Sequence, residues 1–67
     1  MISIVLNGEP MDVSEGLSVG ALLESTDHAG RRVAVEINRE IVPRSQRATR
    51  LLHDGDRVEI VQAMGGG

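Results

Sequence analysis

Residues 2–13 read ISIVLNGEPMDV, and the fold is decided by how this stretch turns back on itself. Ile2, Ile4 and Leu6 alternate with Ser3 and Val5, the period-two pattern of a half-buried strand. Asn7-Gly8 follows at once, and this dipeptide accepts the positive φ values of a type I′ turn. A second, antiparallel strand through Met11 and Val13 is therefore predicted. Pro10 lies inside that second strand and has no N–H to donate to a ladder, so the strand belongs at a sheet edge. Any further strands must then join the sheet on the other side of residues 2–6.

Beyond this hairpin the period changes. Val19, Leu22, Leu23 and Thr26 fall at i, i+3, i+4 and i+7, with Ser18 available as N-cap and Gly30 as a stop, which predicts one amphipathic helix. Gly20 inside it costs about 1 kcal/mol relative to alanine. Alternation returns with Val33, Val35 and Ile37 against Ala34 and Glu36, and Asn38-Arg39 turns the chain into a short strand over Glu40, Ile41 and Val42. Pro43 closes that strand and assigns it to an edge as well. The segment 43–51 has no clean period; a short helical turn around Ser45 to Ala48 and a few extended residues from Thr49 to Leu51 are expected. HDGDR is a turn, and the last strand runs from Arg57 to about Gln62, with Val58 and Ile60 on one face and Glu59 and Val61 on the other.

Two proline-marked edges leave one economical arrangement of the five strands. It is a mixed sheet in order 2-1-5-3-4, strands one and five parallel at its centre, with the helix crossing one face in the right-handed sense. The predicted class is α+β and the architecture is the β-grasp, or ubiquitin-like, roll. Residues 1–62 form the domain and 63–67 a flexible glycine tail.

Composition limits what such a domain can do. A chain of 67 residues makes one small domain, and a fold of this size buries only about 60% of its unfolded surface. With no Phe, Tyr or Trp, the core must be packed from Ile, Val, Leu, Met and Ala. No cysteine is present, which excludes disulfides, thiolate metal sites and a thiol nucleophile, and permits a cytoplasmic home. The start, MISIVL, lacks the basic region of a signal peptide, and no apolar run approaches the ~18 residues of a membrane span, so a soluble protein with no membrane association is expected. The net charge of −3 and the scattered arginines offer no basic stripe for nucleic acid. All seven basic residues are arginine. His28 and His53 lie far apart without a ligand pattern around them, and Asp54 and Asp56 flank Gly55 as turn residues, so neither a metal site nor a catalytic constellation is predicted.

The end of the chain is the unusual feature. It closes on VQAMGGG, and glycine averages about 7% of residues, so three in succession at a defined end are not expected by chance. Residues without Cβ permit close backbone approach and unusual φ values. An α-carboxylate, with a pKa of about 3.5, is an anion at neutral pH and a poor electrophile until it is given a leaving group.

Three stretches, LSVGALLE, AVEINREIVPR and DGDRVEIVQAMGGG, together with this tail, resemble the ubiquitin-like sulfur carriers over essentially the whole length, and most of all the thiamine-biosynthesis carrier family, ThiS. The resemblance implies that the Gly67 carboxylate is adenylated by an E1-like, ThiF-like activating enzyme that uses ATP, is converted to a thiocarboxylate with sulfur from a donating enzyme, and passes that sulfur to a ThiG-like thiazole synthase. It also implies that the carrier binds no cofactor itself and acts as a co-substrate rather than as an enzyme, as a monomer when free. Gly66 and Gly67 carry over as the reactive tail, with Gly65 a departure from relatives that have alanine or another residue there; all three thread into partner enzymes. The small subunit of molybdopterin synthase shares the fold and tail but approaches the glycines through aromatic and proline residues, where this chain has Val61-Gln62-Ala63-Met64. A covalent protein modifier is a third reading, although without lysine the chain cannot extend itself through its own side chains. Strand parity places Val5, Ala34 and Val61 on the sheet face turned from the helix, adjacent to one another, as the expected docking face.

Overall fold

The computed structural model describes residues 1–26 and 32–62. Strands β1 (Ile2–Leu6), β2 (Glu9–Val13), β3 (Val33–Ile37), β4 (Glu40–Ile41) and β5 (Arg57–Gln62) form one sheet, joined by helix α1 (Val19–Ser25) and a 3₁₀ turn at Arg44–Gln46. The sheet order is β2-β1-β5-β3-β4, as predicted, with both proline-marked strands at the edges. β1 and β5 run parallel, and β1/β2, β3/β5 and β3/β4 are antiparallel. Asn7 and Gly8 have φ of 49° and 85°, and Asn38 and Arg39 have 51° and 70°, so both hairpins turn through two left-handed residues. This geometry matches the right-handed twist of the flanking strands.

One face of the sheet and the helix enclose the core. Ile4, Val35, Ile37 and Val58 from the sheet pack with Val19 and Leu22 from α1, all 1% exposed or less, and the cluster extends to Leu23, Val42 and Leu52. The Ser18 hydroxyl caps the helix by accepting from the Ala21 N–H at 3.1 Å. The Thr26 N–H donates to the Leu22 carbonyl at 3.0 Å at the other end. Gly30, expected to stop the helix, lies outside the described residues, and α1 ends at Ser25.

Gly20 faces the segment that follows the 3₁₀ turn. Its N–H donates to the Arg47 carbonyl at 2.8 Å, and a Cβ there would stand 3.4 Å from that same oxygen. The helix therefore meets the backbone after the 3₁₀ turn through this hydrogen bond, at a distance that would bring a Cβ into ordinary van der Waals contact. Arg47 ties this segment to the sheet, donating from a terminal guanidinium nitrogen to the Val33 carbonyl at 2.6 Å. The short strand before Pro43 is one residue briefer than expected: Val42 leaves β4 but keeps a bond from its N–H to the Val35 carbonyl at 2.8 Å and is buried in the core. The expected helical turn at 45–48 is the 3₁₀ turn at Arg44–Gln46, and the extended residues reduce to a single bridge between Ser18 and Leu51.

Arg39 carries a side chain in a conformation that glycine adopts without cost. Arg39→Gly should raise stability by up to about 1 kcal/mol, since relief of the left-handed strain exceeds the added freedom of the unfolded chain. Chemical denaturation of the two proteins reads the difference.

Candidate functional site

The segment that leads to the glycine tail is β5, and side chains at both of its ends hold it in register. β1 accompanies it only through Val5↔Arg57 and Leu6↔Val58, because the chain then turns away at Asn7. From that turn the Asn7 side chain supplies the missing acceptor, its Oδ1 taking the Ile60 N–H at 2.8 Å. The same residue thus provides the left-handed turn and continues the ladder by one bond. At the other end, Asn38 Oδ1 accepts from the Arg57 N–H at 3.0 Å, and Asn38 Nδ2 donates to Asp56 Oδ1 at 3.1 Å. Asp56, 8% exposed, also accepts from the His53 N–H through Oδ2 at 2.8 Å. Asp54 Oδ1 takes the Ser3 N–H at 2.8 Å. The two aspartates flanking Gly55 are turn residues, as read from the sequence, and they fasten the β5 entry turn to β1 and to the β3/β4 turn. His28 lies outside the described residues, and among the described residues no group of three or more His, Cys, Asp or Glu is placed to hold a metal.

Gly65, Gly66 and Gly67 also lie outside the described residues, which end at Gln62 opposite Val33. The three expected docking residues can be placed. Ala34 and Val61 are direct cross-strand partners on the face turned from α1, Ala34 exposed and Val61 53% exposed. Val5 shares that face and is half-buried, but it stands level with Arg57, four residues before Val61, a separation of roughly 13 Å along the strand. The three residues therefore share a face without forming one continuous patch. Parity fixes the face, whereas the parallel register fixes the height, and nothing in the alternation specifies that register. The apolar residue that the sequence reading missed is Ile41, 71% exposed and paired with Glu36 on the same face. Its signal was available in the short β4, where Glu40 and Ile41 must point to opposite sides.

Residues 4–67 match the sequence model of the ThiS family, a span that begins within β1 and takes in every later strand and the glycine residues at the end. The chain belongs to the ThiS family. It is 36% identical over 66 residues to the sulfur carrier protein ThiS of Escherichia coli, covering 98% of this chain and 100% of that one. The crystal structure of a thiamine biosynthesis protein (ThiS) from Geobacter metallireducens superposes with a TM-score of 0.85 at 36% identity, covering 98% of this chain and 100% of that chain. A thiazole synthase of Paramagnetospirillum magneticum is 46% identical over 66 residues, covering 98% of this chain, and the chain spans 20% of that protein's length. The ThiS fold accordingly includes the mixed five-stranded sheet and single helix seen here.

The bond from the Ile60 N–H to Asn7 yields a prediction that separates its side chain from its backbone role. Asn7→Gly keeps the left-handed turn but removes the acceptor, and should cost about 1 kcal/mol. Amide hydrogen exchange should show the loss of protection concentrated at Ile60, with Val58 and the β1/β2 hairpin little changed.

Proposed function

We propose that this chain is a sulfur carrier of thiamine biosynthesis whose C-terminal carboxylate, on Gly67, is the atom group that carries the sulfur. The observation that supports this most strongly is the ThiS family match, which runs from β1 through the diglycine. The geometry adds a reason. β5 is a central strand paired with β3 as far as Gln62 and bonded to the Asn7 side chain at Ile60, so the sequence of the tail follows directly on a strand fixed in register. A rigid body gives a partner one surface to recognise, and a glycine end passes where side chains would obstruct.

In the proposed chemistry the Gly67 carboxylate attacks the α-phosphorus of ATP on an E1-like, ThiF-like enzyme, releasing pyrophosphate and leaving an acyl-adenylate. A persulfide of a sulfur-donating enzyme displaces AMP to give an acyl disulfide, and a thiol of that enzyme then attacks the sulfur still attached to the donor, forming an enzyme disulfide and releasing the thiocarboxylate on Gly67. A ThiG-like thiazole synthase takes the sulfur from there, and the carboxylate is regenerated. The carrier supplies no catalytic group and binds no cofactor; ATP belongs to the activating enzyme. The matching thiazole synthase of Paramagnetospirillum magneticum, which contains a segment like this chain within its own length, supports thiazole synthase as the acceptor. The carrier works as a monomer in the cytoplasm, its sheet face around Ala34 and Val61 docking on the partners and residues 63–67 serving as the reactive tail.

Incubation with the cognate activating enzyme, ATP and the sulfur donor should replace one oxygen of Gly67 by sulfur, read as an intact-mass increase that vanishes when ATP is omitted. Hydroxylamine should intercept the adenylate as a hydroxamate. No ATP-dependent change in mass would overturn the reading, and since the chain has no cysteine, a persulfide cannot imitate the product. Val61→Asp should weaken binding to the activating enzyme while leaving the fold intact; an unchanged affinity in a titration would remove Val61 from the docking face.

A further inference from the structure

The chain contains two asparagines, Asn7 and Asn38, and both sit in left-handed hairpin turns with the side-chain oxygen bonded to a β5 N–H. Their surroundings differ in ways that bear on reactivity. Asn38 is followed by Arg39 and Asn7 by Gly8, and a Cβ built on Gly8 would meet no atom within 4 Å beyond its chain neighbours. The Asn38 side-chain nitrogen is held by Asp56 Oδ1 at 3.1 Å, whereas the Asn7 side-chain nitrogen has no hydrogen-bond partner among the described residues. The Gly8 N–H likewise makes no hydrogen bond among the described residues, and Asn7 and Gly8 are both exposed.

A side-chain amide can be attacked by the backbone nitrogen of the following residue when the turn rotates to bring the two together. Glycine leaves that rotation unobstructed, because it has no Cβ. The Ile60 bond opposes the rotation, but one neutral bond at an exposed side chain is a weak restraint. A second dipeptide open to the same ring closure, Asp54-Gly55, is held shut. Its Gly55 N–H donates to the Ser3 carbonyl at 2.7 Å, and Asp54 Oδ1 accepts from the Ser3 N–H at 2.8 Å.

We propose that Asn7-Gly8 is a site of spontaneous deamidation in the folded protein. A bond forms between the Gly8 nitrogen and Asn7 Cγ, the Cγ–Nδ2 bond breaks, the Gly8 N–H proton passes through solvent to the leaving nitrogen, and ammonia departs to leave a cyclic imide. Water then opens the imide. Addition at Cγ gives aspartate, and addition at the backbone carbonyl carbon gives isoaspartate, in which the chain continues through the former side chain. Aspartate keeps an oxygen within reach of the Ile60 N–H. Isoaspartate adds one backbone carbon to the turn and displaces that acceptor, so the bond that extends the β1/β5 ladder is lost. Either product adds a negative charge to a chain whose net charge is already −3. The reaction needs no enzyme and no partner, so it is independent of the sulfur-carrier reading.

The test holds the folded full chain at physiological temperature in mildly alkaline and in mildly acidic buffer, and follows it by ion exchange, intact mass and peptide mapping. Conversion of an amide to an acid should appear on the peptide that contains Asn7, with isoaspartate among the products and Asn38 unchanged. It should be faster in the alkaline sample, because attack requires the Gly8 nitrogen to lose its proton. Asn7→Gly should keep its mass. In the separated isoaspartate form, amide exchange at Ile60 should quicken roughly fivefold, as loss of one hydrogen bond implies, while Asn7→Asp exchanges there much as the native chain does. A folded chain that keeps its mass while the urea-unfolded chain deamidates at Asn7 would overturn the proposal, because the Ile60 bond would then close the site. Equal conversion at Asn38 would overturn it as well, since neither the glycine nor the free side-chain nitrogen would then select Asn7.

Discussion

The rest of the structure depends on β5 being held between a parallel and an antiparallel neighbour. A parallel pair needs a long crossover, which here comprises the second strand, the helix, the second hairpin and the 3₁₀ turn. Its last link must enter the sheet centre in the correct register, with only two residue pairs joining β1 to β5. Side-chain acceptors supplement that short ladder. Asn7 extends it, Asn38 and Asp56 fix its beginning, and Asp54 anchors the preceding turn to β1. Each of these residues satisfies a backbone N–H that the sheet alone would leave without a partner. They also lie in the turns, so the segments that reverse the chain are the ones that position the strand leading to the tail.

This account explains how a domain without aromatic residues can present a defined surface. Its core consists of aliphatic side chains from one sheet face and the helix at low exposure, and the hydrogen bond from Gly20 to Arg47 joins the helix to the segment after the 3₁₀ turn. One sheet face is consumed by this packing. Among the described residues the other has no layer over it and carries exposed apolar side chains at Ala34, Ile41 and Val61.

Much of the fold was legible in the sequence because local rules acted together. Asn7-Gly8 and Asn38-Arg39 marked the hairpins, Pro10 and Pro43 marked the edges, and those four features were enough to select the strand order. The height of Val5 relative to Val61 was not legible, since alternation carries no information about parallel register. Nor were the contributions of Asn7 and Asn38 beyond their turns visible, because their side-chain partners are 53 and 19 residues away along the chain. Of the candidate site, the glycine tail was the clearest element from residue identity alone, and Ile41 the clearest omission.

The central claim is that the sulfur of the thiazole ring travels on the end of this chain. A single-turnover experiment tests it most directly, using carrier loaded with isotopically labelled sulfur at Gly67, purified away from its donor and mixed with thiazole synthase and the remaining thiazole precursors. The account predicts one labelled sulfur in the thiazole product for each loaded carrier consumed, with the carrier recovered as its carboxylate. Thiazole formed without the label, or label retained on the carrier while product accumulates, would contradict it.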